Sequence, residues 1–246
     1  MLKKLLITTL LCCLPLQAWA YSQTDLDRLL STGSCPNGDL SGAPLQSEDL
    51  TEANLTGANL AHAILDDAIL EKADLKGADL KKASVKRTYF AEADLAGADL
   101  SYANGWKAYF NRSNMTGANC FRANFAHAQF TFANLYTTQL QEANLDYASG
   151  YMVNMHSANL AQAWLYKADL RSANLSSANL YNAKLERSNL TEANMNNTNL
   201  TGAFMRESNL TRAELTNATL DNADLLYANM EETKFDPAAL KQSRIK

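Results

Sequence analysis

The chain of 246 residues sets 22 Lys and Arg against 26 Asp and Glu, for a formal net charge of -4, and is 47% hydrophobic with ten glycines and four prolines. A mildly acidic chain lacks the basic footprint of general nucleic-acid binding, so no nucleic-acid partner is expected. Four cysteines and three histidines, without metal-ligand spacing, argue against a disulfide framework, a metal site or any cofactor.

Lys3 and Lys4 open the chain, an apolar run follows from Leu5 to about Leu16, and Ala18-Trp19-Ala20 is a small-x-small cleavage signal. This reads as a secretory signal peptide over residues 1–20, with cleavage before Tyr21 and an exported product in a periplasm or outside the cell. The run is roughly a dozen residues against the roughly 20 of a membrane-spanning helix, so no membrane span is expected. Leu10 and Leu11 precede Cys12 where a lipoprotein signal needs small residues, which argues against a lipid anchor. Cleavage removes two lysines and no acid, moving the charge from -4 to about -6. It also leaves only Cys35 and Cys120. In an oxidising compartment Cys35 is then an unpaired thiol open to intermolecular pairing, whereas Cys120 falls on an apolar repeat position and acts as a small hydrophobe.

Residues 21–39 form an N-terminal cap, with a short helix predicted from Thr24, its N-cap, to Ser31 and ended by Gly33. From Leu40 to Phe235 an apolar residue then recurs at every fifth position, mostly two places after an alanine, with no insertion or deletion. Ala53-Asn54-Leu55-Thr56-Gly57 and Ala73-Asp74-Leu75-Lys76-Gly77 show the unit. A period of five fits neither a helix nor a strand and marks a solenoid repeat. The apolar centre and the alanine face inward, and the other three positions face water. Asn or Asp before the centre is expected to hydrogen-bond the turn backbone. Gly57, Gly77, Gly97 and Gly117 recur at one corner, where backbone conformation is the demand. In residues 236–246, Asp236 and Pro237 read as an N-cap and first-turn pair, predicting a short basic cap helix from Pro237 to about Arg244.

Over Leu40–Phe235 the chain resembles the pentapeptide-repeat family. The resemblance implies an all-β fold in which four repeats make one square coil and coils stack into a right-handed quadrilateral β-helix, capped at both ends by short helices. About 40 repeats would give about ten coils and, at about 4.8 Å per coil, a rod about 48 Å long. Members often carry Cys-x-x-Cys at the N-terminal junction; here Gly38 holds the second position, which speaks against a metal or disulfide role for Cys35. Relatives pair two rods through the C-terminal segment, implying a homodimer through that cap. Some cytoplasmic members resemble duplex DNA in size and charge and bind DNA gyrase or topoisomerase IV, protecting against quinolones.

Aligning the sequence in columns four repeats apart tests for convergent chemistry. His62, His127 and His156 fall in three different columns, and no Gly-x-Ser-x-Gly or Gly-rich phosphate loop occurs. No catalytic residue is assigned, and a rod of this kind is expected to lack a concave pocket. Two centres are glycine. Gly105 lies between Val85 and Phe125, and Gly150 between Phe130 and Leu170, so a neighbouring Phe is expected to fill each gap beside a ladder of Phe90, Phe110 and Phe130. A column of Lys72, Glu92, Arg112, Glu192, Arg212 and Glu232 predicts an exposed ion-pair ladder. Another reads Arg87, Lys107, His127, Tyr147, Lys167 and Arg187, with aromatic residues beside it. Trp106, Lys107, Tyr147, Trp164, Tyr166 and Lys167 are therefore the candidate binding residues, aromatic platforms next to cations. The function expected is a non-catalytic exported scaffold that binds a protein or an envelope glycan through this face. The alternatives are the topoisomerase-directed DNA mimic and a purely structural spacer.

Overall fold

A computed structural model describes residues 21–236, 243 and 244; the predicted signal peptide, residues 1–20, lies outside them. Each five-residue unit begins with a tight turn. The carbonyl of the apolar centre accepts the N–H three residues on, as Leu50 does from Ala53 at 3.0 Å. The third residue of the turn has φ near +60° at forty successive positions from Asn37 to Glu232, and thirty-four of these are not glycine. Positive φ at that position alone defines a type II turn. A non-glycine residue there costs about 1 kcal/mol, so the stacking of coils must hold the turns in place.

That stacking joins each residue to the one four repeats further on. Asn54 bridges Asp74 in parallel, Asp74 bridges Asp94, and the pattern continues along the rod. Each centre donates its N–H to the next coil, as Leu55 does to the Asp74 carbonyl at 2.7 Å, and Asp74 returns a bond to Ala53 at 2.9 Å. Four turns per step make a square coil; the N–H and carbonyl of the residue before each centre bond neighbouring coils, while the alanine N–H and the centre's carbonyl close the turn. Alanines and apolar centres fill the interior and are essentially unexposed as far as Leu225, while Ala228, Met230 and Phe235 of the last coil are partly buried.

Phe90, Phe110 and Phe130 stack at 4.9 and 5.1 Å with planes 3° apart, and Phe125 meets Phe110 and Phe130 edge-on at 5.4 and 5.6 Å. A Cβ at Gly105 would lie 2.7 Å from Phe125, so a neighbouring Phe does fill that gap. Gly150 is different. Its space is taken by Leu170 and Val153, each 3.0 Å from where a Cβ would sit, because Val153 replaces the usual alanine of its own turn. Buried hydroxyls at other alanine positions bond backbone carbonyls: Thr88, Thr138 and Thr198 reach the preceding coil at Leu65, Met115 and Leu175, at 2.7 to 2.9 Å.

The helix α1 spans Gln23–Thr32. Its N-cap is Ser22 rather than Thr24: Ser22 is extended and its Oγ accepts the Asp25 N–H, while Gly33 closes the helix in the left-handed region and donates to the Leu29 carbonyl. Leu26 and Leu29 cover the first coil, and the Ser22 N–H bonds the Asp39 carbonyl at 2.8 Å. The coil starts one repeat earlier than the Leu40 boundary, because Ser34 bridges Asn54 and Cys35 already occupies an inward centre with no exposure. Burial overturns intermolecular pairing of Cys35, whose Sγ instead takes Arg28 Nη2 at 3.2 Å. Burial also pushes the Cys120 thiol up. Both thiols are expected to resist iodoacetamide in the native protein and to be alkylated together on unfolding, as peptide mass mapping would read. Labelling of Cys35 alone in native conditions would show that the N-terminal lid opens independently.

At the far end, β1 (Glu214–Leu215) pairs in parallel with β2 (Lys234–Phe235). Residues 237–242 of the predicted cap helix lie outside the described residues. Arg244 is not helical: it bridges Asp224 in parallel and exchanges 2.9 Å bonds with Ala223 and Leu225, covering that one point of the last coil's edge. No helix among the described residues is long and apolar enough to cross a membrane.

Candidate functional site: an aromatic and basic corner

The four sides of the rod are not alike. On two adjacent sides the residue before the centre is almost always Asn or Asp, from Asn54 to Asn194 in one column and from Asp39 to Asn199 in the other. Each such side chain accepts the N–H two residues on, as Asn174 does from Ser176 at 3.2 Å. The amides also bond along the column: Asn154 to Asn134 at 2.8 Å, Asn174 to Asn154 at 3.1 Å, and Asn199 to Asn179 at 3.1 Å. The corner between these sides carries Gly57, Gly77, Gly97, Gly117, Ser157 and Ser177. This half is polar and saturated within itself, with Tyr136 stacked on His156 as its aromatic exception.

On the other two sides the Asn rule is broken by Ile64, Ile69, Tyr89, Tyr109, Trp164, Lys184 and Phe204. Tyr89 and Tyr109 stack in the open at 4.5 Å. Each departure gives up a turn bond, and all but Lys184 place apolar surface in water, the signature of an interaction site. The candidate corner runs between these two sides.

Along that corner the aromatic rings connect across four coils. Lys107 Nζ sits 4.4 Å from the Trp106 ring, Trp106 meets His127 edge-on at 6.5 Å, and His127 stacks on Tyr147 at 4.9 Å. Tyr147 meets Tyr166 edge-on at 5.5 Å, and Lys167 Nζ lies 5.7 and 5.5 Å from those two rings. His127 links the two groups although it stood outside the candidate set; its place in one column with Lys107 and Tyr147 was the signal.

Electrostatics narrow the stripe to its middle. At one end Arg87 Nε bonds Asp67 at 2.7 Å, and Lys86 pairs with Asp66 at 3.0 Å. Partial burial opposes ionisation of Asp66, but bonds from Ser84 and Lys86 outweigh it and hold its carboxyl below the ordinary range. At the other end Arg187 pairs with Glu207 at 2.9 Å and reaches the Tyr166 hydroxyl at 3.2 Å, and Arg206 pairs with Asp224 at 2.6 Å. Lys107 and Lys167 alone of the column's cations pair with rings instead of carboxylates among the described residues. Asp146 is occupied by the Tyr166 N–H at 2.8 Å. The middle is therefore a strip of aromatic surface bearing two available cations.

Trp164 does not join this strip. It lies on the adjoining flat side, with Lys184 Nζ 4.0 Å over its ring, at a groove of about 600 Å³. The opposite wall is formed by Arg122, Glu142, Gln162 and Asn182. The expectation of a rod without a concavity is thus corrected. Short side chains, Asn144, Gln162 and Asn182, lie between the larger Arg122 and Phe204 and leave the space.

The other charged column forms in part. Glu192 and Glu232 both pair with Arg212, at 3.1 and 3.3 Å, and Glu92 stands 3.9 Å from Arg112. Lys72 turns to its neighbour Glu71 at 3.9 Å, so the ladder does not begin there. The three histidines are apart, His156 Nδ1 being 2.7 Å from Ser176 Oγ, and no cluster of metal-binding side chains occurs among the described residues.

The family model for pentapeptide repeats matches in eight copies, covering residues 49–87, 88–119, 118–149, 154–191, 188–225 and 206–236. No curated protein sequence matches the chain. Among solved structures, HetL, a pentapeptide repeat protein involved in heterocyst differentiation regulation from the cyanobacterium Nostoc sp. strain PCC 7120, is 26% identical over 78% of this chain and 90% of its own, with a TM-score of 0.32. A pentapeptide repeat protein of the Arabidopsis thaliana thylakoid lumen is 26% identical over 38% of this chain and 62% of its own, with a TM-score of 0.31. QnrB1, a plasmid-mediated fluoroquinolone resistance protein, is 17% identical over 78% of this chain and 89% of its own, with a TM-score of 0.36.

Proposed function

The chain belongs to the pentapeptide-repeat family, whose members fold as right-handed quadrilateral β-helices and are generally non-enzymatic scaffolds, and from that premise we propose that it is an exported rod of about ten coils that docks an acidic protein surface on its aromatic corner. The observation that carries the reading is the middle of the corner, where Trp106, His127, Tyr147 and Tyr166 form a continuous platform and Lys107 and Lys167 lack carboxylate partners among the described residues. Export rests on the basic, apolar and small-x-small order of residues 1–20. Rigid display is the mechanism: side chains fixed by the coils lose little freedom on binding. Aromatic anchors beside unpaired cations suit a carboxylate-rich partner, and anchors of this kind often carry about 2 kcal/mol or more each. A duplex-DNA mimic calls instead for an unbroken acidic row, and here the corner's carboxylates are interleaved with cations, with Asp66, Asp67 and Glu207 paired to them.

The test is crosslinking capture from native envelope. A variant with Trp106→Ser, Lys107→Ser, Tyr147→Ser and Lys167→Ser is compared with the intact protein and with Tyr136→Ser on the polar half. Capture lost in the corner variant and kept in Tyr136→Ser is the expected result, with circular dichroism verifying the fold. Equal capture by all three would overturn the assignment.

A further inference from the structure

We infer that the groove beside Trp164 is a separate binding site for an extended glycan bearing carboxylated sugars. The groove crosses the coils rather than following one, and from Arg122 to Phe204 it spans about four coil steps, or ~19 Å. One wall is an aromatic platform. Trp164 is 47% exposed, and Lys184 covers one face of its ring at 4.0 Å. Below it in the same column stands Asn144, drawn toward its own turn by accepting the Asp146 N–H at 2.9 Å. No other described ring or cation stacks on Trp164, and its 47% exposed surface is available to the apolar C–H face of a sugar ring.

The facing wall supplies polar recognition. Arg122 and Glu142 hold each other at 2.7 Å, which fixes both side chains and cancels their charge. Gln162 and Asn182 follow on the next two coils, each with a side-chain amide that makes no hydrogen bond among the described residues, unlike the saturated amides of the polar half. Planar amides offer donors and an acceptor in one side chain, which suits the mixed hydroxyls of a sugar. Lys184 has no carboxylate partner among the described residues, so the groove carries one uncompensated positive charge. Platform, free amides and a single cation together specify a polyhydroxylated chain with an acidic group, in a site set apart from the corner strip by its position on the flat side.

The experiment is calorimetric titration of the full chain with a defined oligouronate and with a neutral oligosaccharide of equal length. Binding of the oligouronate is expected, weakened about tenfold or more by Trp164→Ala, the size of effect seen when an interface anchor is truncated. Lys184→Gln is expected to remove the preference for the oligouronate over the neutral chain, and Trp106→Ala to leave both titrations unchanged. Absence of binding to the oligouronate, or equal binding by the Trp164→Ala protein, would overturn the assignment. So would a loss on Trp106→Ala matching that on Trp164→Ala, which would move the sugar to the corner strip. Because corner capture is read separately, failure here leaves the protein-docking reading standing.

Discussion

Replacing Phe110 with alanine is expected to destabilise the rod by about 3–5 kcal/mol, the range for removing a buried aromatic ring, read as a fall in the urea midpoint. Phe110 has no exposure and is held face-on by Phe90 and Phe130 at 4.9 and 5.1 Å and edge-on by Phe125 at 5.4 Å. The cost of such a change depends on how far the surroundings collapse into the void. Here the surrounding rings stand on coils whose backbone is pinned by bonds such as Phe110 N–H to the Gln129 carbonyl at 2.7 Å and Tyr109 N–H to the Thr88 carbonyl at 2.9 Å. Collapse would break inter-coil bonds on both sides, which places the effect toward the upper end. A loss under about 1 kcal/mol would mean that the interior repacks freely, contrary to a close-packed core.

The second large effect comes from adding atoms. Gly105→Ala is expected to cost about 1–3 kcal/mol, as overpacking does. The new Cβ would stand 2.7 and 2.8 Å from two ring carbons of Phe125, a side chain already wedged against Phe110 and Phe130. The φ of Gly105 is not in the left-handed region, so the penalty is steric. Gly77 separates the two causes: its φ is +62° and a Cβ there would meet nothing within 4 Å, so Gly77→Ala carries only the conformational cost of about 1 kcal/mol. If Phe125 is the obstacle, Phe125→Leu in the Gly105→Ala background should cost less than the sum of the two single changes, by about 0.5–3 kcal/mol in a double-mutant cycle. Additive changes would locate the strain in the backbone.

The interior was legible in the sequence because an unbroken period of five leaves no freedom about which residues face inward, and the Phe ladder followed from spacing alone. The details that were not legible turn on local competition. Ser22 and Thr24 are both good caps, and only the bond from Ser22 to the first coil's neighbourhood favours one of them. Gly150 lies beside a Phe in sequence columns, yet Val153 of the same turn reaches the gap first. Trp164 sits three columns from Lys167 on paper, but one side chain stands at a corner and the other on a flat side, and the short Asn144 beneath it opens a groove that no motif announces. The unpaired state of Lys107 and Lys167 was hidden for a related reason. A column shows which charges recur from coil to coil, while the choice of partner depends on which carboxylate the side chain can reach.

The four-repeat step between bonded partners, as from Asn54 to Asp74, has a bearing on how such a chain can change in length over generations. A tandem duplication or loss of four repeats lengthens or shortens the rod by one storey and leaves every later side chain above the same predecessor. Duplicating a single repeat preserves the inward residues too, but rotates everything beyond it by a quarter turn, carrying Trp164 onto the side of Tyr89 and Tyr109 and Tyr147 to that side's border with the polar half. Inheritance can therefore alter the height of this rod freely by whole storeys, while a change of one repeat turns one end's recognition surface away from the other's.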